Sequence, residues 1–246
     1  MARPRSSFRS IFNAFLTVLL FVIISSTLVG LTNGYTYDFS SNQFTQTGII
    51  SLTVKQMPVT VSIDGKKKLY KKTPINLTYL VPGQYTVEIR KEGYYPWVKT
   101  FRIKAGEVKV NPFVRLYLTE INPQPATSKE ADMVANATMV APDLDIRLYE
   151  IWIKPISRTY PFTVTSDRFA FVGRYAKPVH GAIWTEDKTN IIFQVGNEIR
   201  LIDRDGTNDH LLVSLSSDQA TRFAITSDGN ALIYQDGDMM YRRQLQ

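Results

Sequence analysis

The stretch LVPGQYTVEIRKEGYYPW, residues 80–97, carries the pattern on which the fold prediction depends. Tyr85, Val87 and Ile89 alternate with polar residues, which is the period of a half-buried β-strand. Pro82-Gly83 before this run suits the two central positions of a type II turn. The stretch therefore predicts a turn followed by an amphipathic strand.

The same alternation recurs on both sides of this strand, and turn residues separate the runs. Asp64-Gly65 suits a tight hairpin turn, and Gly106 divides the last two runs. The additional apolar runs are Ile50, Leu52 and Val54; Val59, Val61 and Ile63; Phe101 and Ile103; and Val108 and Val110. Several short strands at this spacing predict an all-β sandwich over residues 48–118.

Three motifs within this segment carry a family resemblance. PVTVSIDG (58–65), KTP (72–74) and LVPGQYTVEIRKEGYYPW (80–97) occur in this order, and the segment resembles the PEGA domain. The eponymous Pro-Glu-Gly-Ala is missing, because Val59-Thr60 follows Pro58, so the first hairpin is shortened. The resemblance implies a compact β-sandwich found in bacterial surface and envelope proteins, usually without catalytic residues.

The N-terminal region contains an uncharged apolar stretch. Residues 11–31 (IFNAFLTVLLFVIISSTLVGL) form a helix of about 30 Å if they are helical throughout, which matches the hydrocarbon core of a bilayer. Arg3, Arg5 and Arg9 precede the stretch, so the positive-inside rule places residues 1–10 in the cytoplasm and the remainder outside. We interpret residues 11–31 as a single-pass signal anchor; a cleaved signal peptide is the alternative, and it exports the same residues.

Two further segments have the composition of linkers, and the C-terminal region shows a weak repeat. Residues 32–47 are predicted as a juxtamembrane linker, and residues 119–144 as an interdomain linker with a short helix over 129–137. Within residues 145–246, the segment 182–215 is partly repeated by 223–244, with Ile225 lying 41 residues after Trp184.

A period near 40 with four strands per unit is typical of β-propeller blades. Residues 149–156, with the strand containing Thr163-Val164, resemble part of an earlier unit, and Ser166-Asp167 recurs as Ser217-Asp218. The repeats resemble TolB or WD40-like blades, but only about two and a half units are present, whereas a closed propeller needs at least four. The region is therefore predicted as a partial propeller, with an open or differently packed sheet as the alternative.

Composition and motifs give no support for catalysis. The chain has no cysteine, which excludes disulfides and thiol chemistry, and His180 and His210 do not lie in a zinc-binding pattern. DRDGTNDH (203–210) lacks the glutamate that completes a calcium loop and is interpreted as a hairpin turn. Motifs for acyl transfer, nucleotide hydrolysis and dinucleotide binding are also missing. We predict a non-enzyme with no catalytic, cofactor-binding or metal residues and no nucleic-acid partner.

Two groups of residues are candidates for binding. Residues 48–118 contain 13 Lys or Arg and 4 Asp or Glu, and the run KKKLYKK holds Lys66, Lys67, Lys68, Lys71 and Lys72. We expect this run at one tip of the sandwich, where it contacts an anionic envelope polymer or lipid headgroups; the alternative is a solvated loop that discourages strand pairing. Tyr94, Tyr95 and Trp97 form a candidate aromatic platform for sugar or peptide, with core packing as the alternative.

Together these features indicate a membrane-anchored, extracytoplasmic protein of a bacterial envelope. Its expected role is binding or scaffolding, with the membrane, a cell-wall polymer or another envelope protein as partner. Two alternatives stay open: an accessory or sensor subunit of an envelope enzyme, and a structural surface-layer or stalk component.

Overall fold

A computed structural model describes residues 7–38, 42–119, 122–155 and 168–246. Outside the N-terminal helix these residues are mostly β-strands, so the prediction of a β-rich chain is confirmed. The strand predicted around Thr163-Val164, the Ser166-Asp167 element of the repeat, and residues 1–6 of the expected cytoplasmic segment lie outside the described residues.

Helix α1 spans Ser7–Thr32 and contains the predicted apolar stretch. Its Ser10–Thr32 portion is long and apolar enough to cross a bilayer and is not buried against the rest of the protein. The hydroxyls of Thr17 and Thr27 donate to the carbonyls of Asn13 and Ile23, one turn earlier, so these polar groups are satisfied within the helix. The helix therefore has the properties of a membrane anchor or a signal sequence.

Deletion of residues 1–31 should convert the chain into a soluble protein with a β-type circular dichroism spectrum. Among the described residues, only the eight-residue helix α2 (Ser128–Ala135) would remain helical. The full chain in detergent is the control and should show the added helical signal of α1. A helix-dominated spectrum from the shortened chain would contradict the β-rich fold.

Residues 32–47, predicted as a linker, contain a β-hairpin. Strand β1 (Tyr35–Asp38) pairs antiparallel with β2 (Gln43–Gln46). The amide of Thr47 donates to the carbonyl of Gly34 over 2.7 Å and closes the base of the hairpin. The polar composition indicated irregular chain, but the backbone ladder and an edge-to-face contact between Tyr37 and Phe44 give this segment regular structure.

The next seven strands form two sheets, one of which is mixed. The amides of Ile49 and Lys55 donate to the carbonyls of Glu107 and Val114, so the first and last of the seven strands run parallel. The mixed sheet has the order β6-β3-β9 and the other sheet has the order β5-β4-β7-β8. Their bounds are β3 Gly48–Val54, β4 Val59–Ile63, β5 Lys66–Tyr70, β6 Ile75–Leu80, β7 Gly83–Arg90, β8 Trp97–Ile103 and β9 Val108–Val114. In β3, for example, Ile50, Leu52 and Val54 are buried, as their alternation predicts.

The turns of this segment agree only in part with their prediction. Asp64 and Gly65 both have positive φ and join β4 to β5, as a tight hairpin requires, and Gly106 breaks the chain between β8 and β9 with φ of 68°. The type II turn predicted at Pro82-Gly83 is wrong, because Gly83 does not have the required positive φ and already begins β7.

The C-terminal region contains three antiparallel sheets, of three, four and four strands. Their orders are β11-β12-β13, β14-β15-β16-β17 and β10-β20-β19-β18. The strands are β10 Gln124–Pro125, β11 Leu144–Arg147, β12 Glu150–Ile153, β13 Ala170–Arg174, β14 Val179–Trp184, β15 Asn190–Val195, β16 Glu198–Asp203, β17 His210–Ser214, β18 Phe223–Ile225, β19 Ala231–Asp236 and β20 Met239–Gln244. Among the described elements there is no closed ring of blades.

The weak sequence repeat corresponds to a structural repeat. Strands β19 and β20 begin and end 41 residues after β15 and β16. In the first repeat the hydroxyl of Thr185 hydrogen-bonds to the Asp187 carboxylate and to the backbone carbonyl of Asn190. In the second repeat Thr226 makes the same hydrogen bonds to Asp228 and Ala231. Two sheets therefore share one hairpin design. Strand β10 lies beside β20, in the position that β17 occupies beside β16.

The described chain divides into two compact units. One comprises the residues up to Thr53 with Pro74–Thr86 and Thr100–Pro112; the other comprises Val54–Thr73, Val87–Lys99 and Phe113–Gln246. The second unit contains half of the predicted sandwich together with the C-terminal sheets. It also contains α2, which lies close to the helix predicted at 129–137. The buried Val134 of α2 packs against residues of β18 and β19.

Candidate functional site

The lysine run lies on an edge strand instead of a loop at a tip. Lys66, Lys67 and Lys68 belong to β5, which pairs with β4 and is the first strand in the order of its sheet. The Asp64-Gly65 turn reverses the chain at once, so the residues that follow it continue the ladder. All five lysines are exposed, with Lys71 and Lys72 directly after the strand.

Lysines project from both faces of β5. Lys68 lies opposite Val61 and Lys67 opposite Ser62, so the two ammonium groups leave the strand in opposite directions. The Lys68 ammonium lies 5.2 Å from the ring centroid of Tyr70. Charged side chains along a sheet edge oppose pairing with another strand, and on both faces they also create a broad cationic surface.

Nearby carboxylates do not neutralise this strand. In the described part of the chain, none of the five ammonium groups forms an ion pair within 4.0 Å. Glu88 lies on β7, which is separated from β5 by β4, and it accepts a hydrogen bond of 2.7 Å from the guanidinium of Arg90. The positive charge of β5 is therefore available to an external anion.

The three residues of the candidate aromatic platform lie in three different environments. Tyr94 is half-buried, with the Lys91 ammonium 5.0 Å from its ring centroid. Tyr95 stacks on His210 with centroids 4.5 Å apart, and its hydroxyl donates to the Leu211 carbonyl over 2.6 Å. Trp97 is 5% exposed. The rings of Tyr95 and Trp97 are thus directed into packing contacts within the second unit.

Trp97 reaches a buried polar cluster that the sequence did not indicate. Its indole N–H donates over 3.1 Å to the carboxylate of Asp203, which also accepts from the side-chain amides of Asn190 and Asn208. The Tyr117 hydroxyl donates to the Asn190 side chain over 3.1 Å. Burial raises the pKa of Asp203 to about 6, against the hydrogen bonds that favour its charged form.

The polar cluster is a structural element and not an open site. A small space beside it is lined by Tyr95, Trp97, Asp203 and His210 and holds about 10 Å³, close to the minimum for one water molecule. Arg115 and Asp187 add a largely buried ion pair of 2.8 Å near its edge. These contacts join the end of the predicted sandwich to the C-terminal sheets within one compact unit.

Residues of the DRDGTNDH turn bond to other side chains of the protein. Asp205 pairs with Lys99 over 2.7 Å, Asn208 bonds Asp203, and the turn joins β16 to β17. His180 lies on β14 and His210 on β17; burial lowers the pKa of His210. Over the described ranges, no three side chains of His, Cys, Asp or Glu are grouped as a metal site would require.

A second surface, also missed from sequence, lies on the solvent side of β11-β12-β13. Trp152 meets Phe171 edge to face, and the Arg147 guanidinium lies 4.8 Å from the ring centroids of both Trp152 and Phe169. An open cleft of about 360 Å³ lies beside Arg147, Tyr149 and Arg174. The alternation in YEIWIKPI was the available signal, since buried Ile151 and Ile153 place Trp152 on the opposite face.

One family comparison agrees with the fold of the lysine-bearing segment. Residues 47–116 match the family model of the PEGA domain. This range includes strands β3 to β9 in full, so the sequence resemblance is confirmed for that part of the chain. No curated protein matches the chain.

Proposed function

We propose that the chain is a non-catalytic, membrane-anchored protein of the bacterial cell envelope that binds an anionic envelope polymer through β5. The single observation that carries this proposal is a sheet edge where β5 and the two residues after it hold five exposed lysines with no carboxylate partner among the described residues. The match of this segment to the PEGA domain supports an envelope setting.

The remaining elements have supporting roles in this proposal. Helix α1 is a single-pass anchor with its N-terminus in the cytoplasm, supported by its length and by the arginines before it. Strands β3 to β9 form a PEGA β-sandwich, and the C-terminal sheets form part of a TolB or WD40-like propeller. The 41-residue structural repeat supports the propeller assignment.

A protein partner is a second candidate function, favoured by the surface around Trp152 and Phe171. Aromatic residues and arginine are enriched at protein interfaces and dominate their binding energy. Phe171 is half exposed, and Arg147 is held between two rings and Asp145. This surface is consistent with an accessory or sensor subunit, whose enzyme partner would dock on β11-β12-β13.

Changing all five lysines of the 66–72 run to Gln should abolish most binding to an anionic polymer. Each lysine near a charged surface contributes about 1 kcal/mol, so we expect a loss of at least about tenfold in affinity. Binding by the wild type should weaken from 0.1 M to 1 M salt, as the Debye length falls from about 10 Å to about 3 Å. The measurement is sedimentation of the full chain, in detergent, with purified cell wall.

A matched control removes the same charge elsewhere. Five exposed lysines outside the 66–72 run are changed to Gln: Lys55, Lys104, Lys129, Lys154 and Lys177. This variant should retain binding, which separates a specific edge from overall net charge. Equal losses of binding in both variants would show an effect of net charge alone and contradict a specific role of β5. Equal, salt-independent binding by both variants and the wild type would contradict any electrostatic role of β5.

A further inference from the structure

We propose that the β1-β2 hairpin is an interfacial anchor whose aromatic face inserts into the headgroup region of the bilayer next to α1. This inference rests on the proposed function, because it requires α1 to remain in the membrane. It assigns a role to residues 35–46, which the sequence indicated only as a linker.

The hairpin begins directly at the end of the helix. Asn33 donates from its backbone and side-chain amides to the Val29 carbonyl over 3.1 and 2.8 Å, and the Gly34 amide donates to the Leu31 carbonyl over 3.1 Å. These bonds satisfy carbonyls of the last helical turn. Strand β1 starts at Tyr35, three residues after the helix ends at Thr32. A bilayer that contains α1 therefore has its outer boundary close to this hairpin.

The base of the hairpin is fixed to the same place. Both the amide and the hydroxyl of Thr47 donate to the Gly34 carbonyl, over 2.7 and 2.8 Å. The side-chain amide of Gln46 donates to the Asn33 carbonyl over 3.3 Å. Entry and exit of the hairpin thus meet beside the helix end, which leaves little free chain to carry it away from the membrane surface.

One face of the hairpin is aromatic and the other is polar. Tyr37 lies opposite Phe44 and Tyr35 lies opposite Gln46, so these three aromatic residues and Gln46 share one face because strand residues alternate. Phe44 is 77% exposed and Tyr35 is 44% exposed, so this face is not covered by the described part of the protein. Phe44 and Tyr37 are in edge-to-face contact with centroids 5.2 Å apart. The opposite face carries Thr36, Asp38, Gln43 and Thr45.

The composition of the hairpin favours the lipid–water interface over other occupants. Tyrosine is enriched at this interface because its ring is apolar and its hydroxyl is polar, and Phe44 adds a wholly apolar ring. Residues 33–47 contain no Lys or Arg, so recognition of headgroup phosphate by ion pairs is not available. The one acidic residue of this stretch, Asp38, lies on the polar face. The aromatic face of the hairpin is therefore suited to shallow insertion into the lipid–water interface, with the polar face toward water.

Spin-label accessibility in lipid vesicles tests this arrangement with the full chain. Because the chain has no cysteine, single substitutions place a nitroxide at defined positions: Tyr35→Cys on the aromatic face, Gln43→Cys on the polar face and Leu19→Cys within α1. Vesicles contain phosphatidylglycerol and phosphatidylcholine, and collisions are measured with lipid-soluble oxygen and with a water-soluble nickel complex. Circular dichroism verifies that each variant is folded.

We expect oxygen collisions to dominate at position 35 and nickel collisions to dominate at position 43, although both belong to one hairpin. Adding Phe44→Ser to Tyr35→Cys should shift position 35 toward nickel accessibility, because the most exposed ring of the face is lost. The matched addition of Thr45→Ser, on the polar face, should leave position 35 unchanged.

The label at position 19 distinguishes failure of the membrane anchor α1 from failure of the interfacial hairpin. Oxygen access at 19 with strong nickel access at 35 would overturn the interfacial hairpin and leave the membrane anchor intact. Nickel access at 19 would overturn the anchor itself. Protection of position 35 from both reagents would show that protein, such as a second copy of the chain, covers the aromatic face, and would overturn the assignment to lipid.

Discussion

Trp97→Ala should destabilise the second compact unit by about 3–5 kcal/mol, the range typical of deleting a large buried aromatic side chain. Trp97 is 5% exposed, so its removal leaves a cavity among packed side chains. It also removes one of three hydrogen-bond donors from the buried carboxylate of Asp203. Urea denaturation of the full chain in detergent, followed by far-ultraviolet circular dichroism, measures the change in the free energy of unfolding.

Two further variants identify the origin of this loss. Trp97→Phe retains most of the ring volume but not the N–H group, and should cost about 1–3 kcal/mol, because the buried Asp203 carboxylate loses one charge-assisted hydrogen bond and keeps two. Val98→Ala, at the exposed neighbouring position, should change stability by less than about 0.5 kcal/mol. An unchanged unfolding curve for Trp97→Ala would argue against a buried indole and for an exposed aromatic platform.

The second large effect concerns pH, through Asp203. Burial raises its pKa to about 6 in the folded chain, whereas an unfolded aspartate titrates near about 3.9. The folded state therefore binds this proton more tightly than the unfolded state does. The stability that protonated Asp203 contributes is complete below about pH 4 and is lost as the pH rises through about 6. A shift of about two pKa units corresponds to about 3 kcal/mol at most.

Asp203→Asn isolates this contribution. Other carboxylates act in the opposite direction; hydrogen bonds from Thr226 and Asn230, for example, lower the pKa of Asp228 to about 2. The useful quantity is therefore the difference between wild type and variant in the free energy of unfolding, measured from pH 4 to pH 7.5. Relative to Asp203→Asn, the wild type should lose stability as the pH rises. A constant difference over this range would contradict the raised pKa of Asp203.

The sequence predicted elements whose signals are local. Alternation of apolar residues located β3, β4 and β7, and the Asp64-Gly65 pair located a hairpin. The run KKKLYKK was expected at one tip of the sandwich because it follows the Asp64-Gly65 turn. It forms a strand nonetheless, because the preceding turn places it beside β4 and an edge strand does not need a buried face.

Features that depend on distant residues had no such signal. Trp97 could be predicted as buried from its type and context, but its partner Asp203 lies 106 residues further along the chain. Asp203 belongs to an ordinary hairpin sequence, so its side chain gave no indication of a buried role. The aromatic face of the β1-β2 hairpin was likewise hidden, since a polar composition conceals which residues share a face until the register is known.

The pairing of β10 with β20 sets the order in which this chain can fold. Pro125 pairs with Tyr241, 116 residues later, so this sheet cannot be completed until nearly all of the sequence shown has left the ribosome. Contacts between such distant residues slow folding, because a long loop must close before they form. This sheet therefore stays incomplete during most of the synthesis of the sequence shown, whereas hairpins such as β15-β16 need only neighbouring residues.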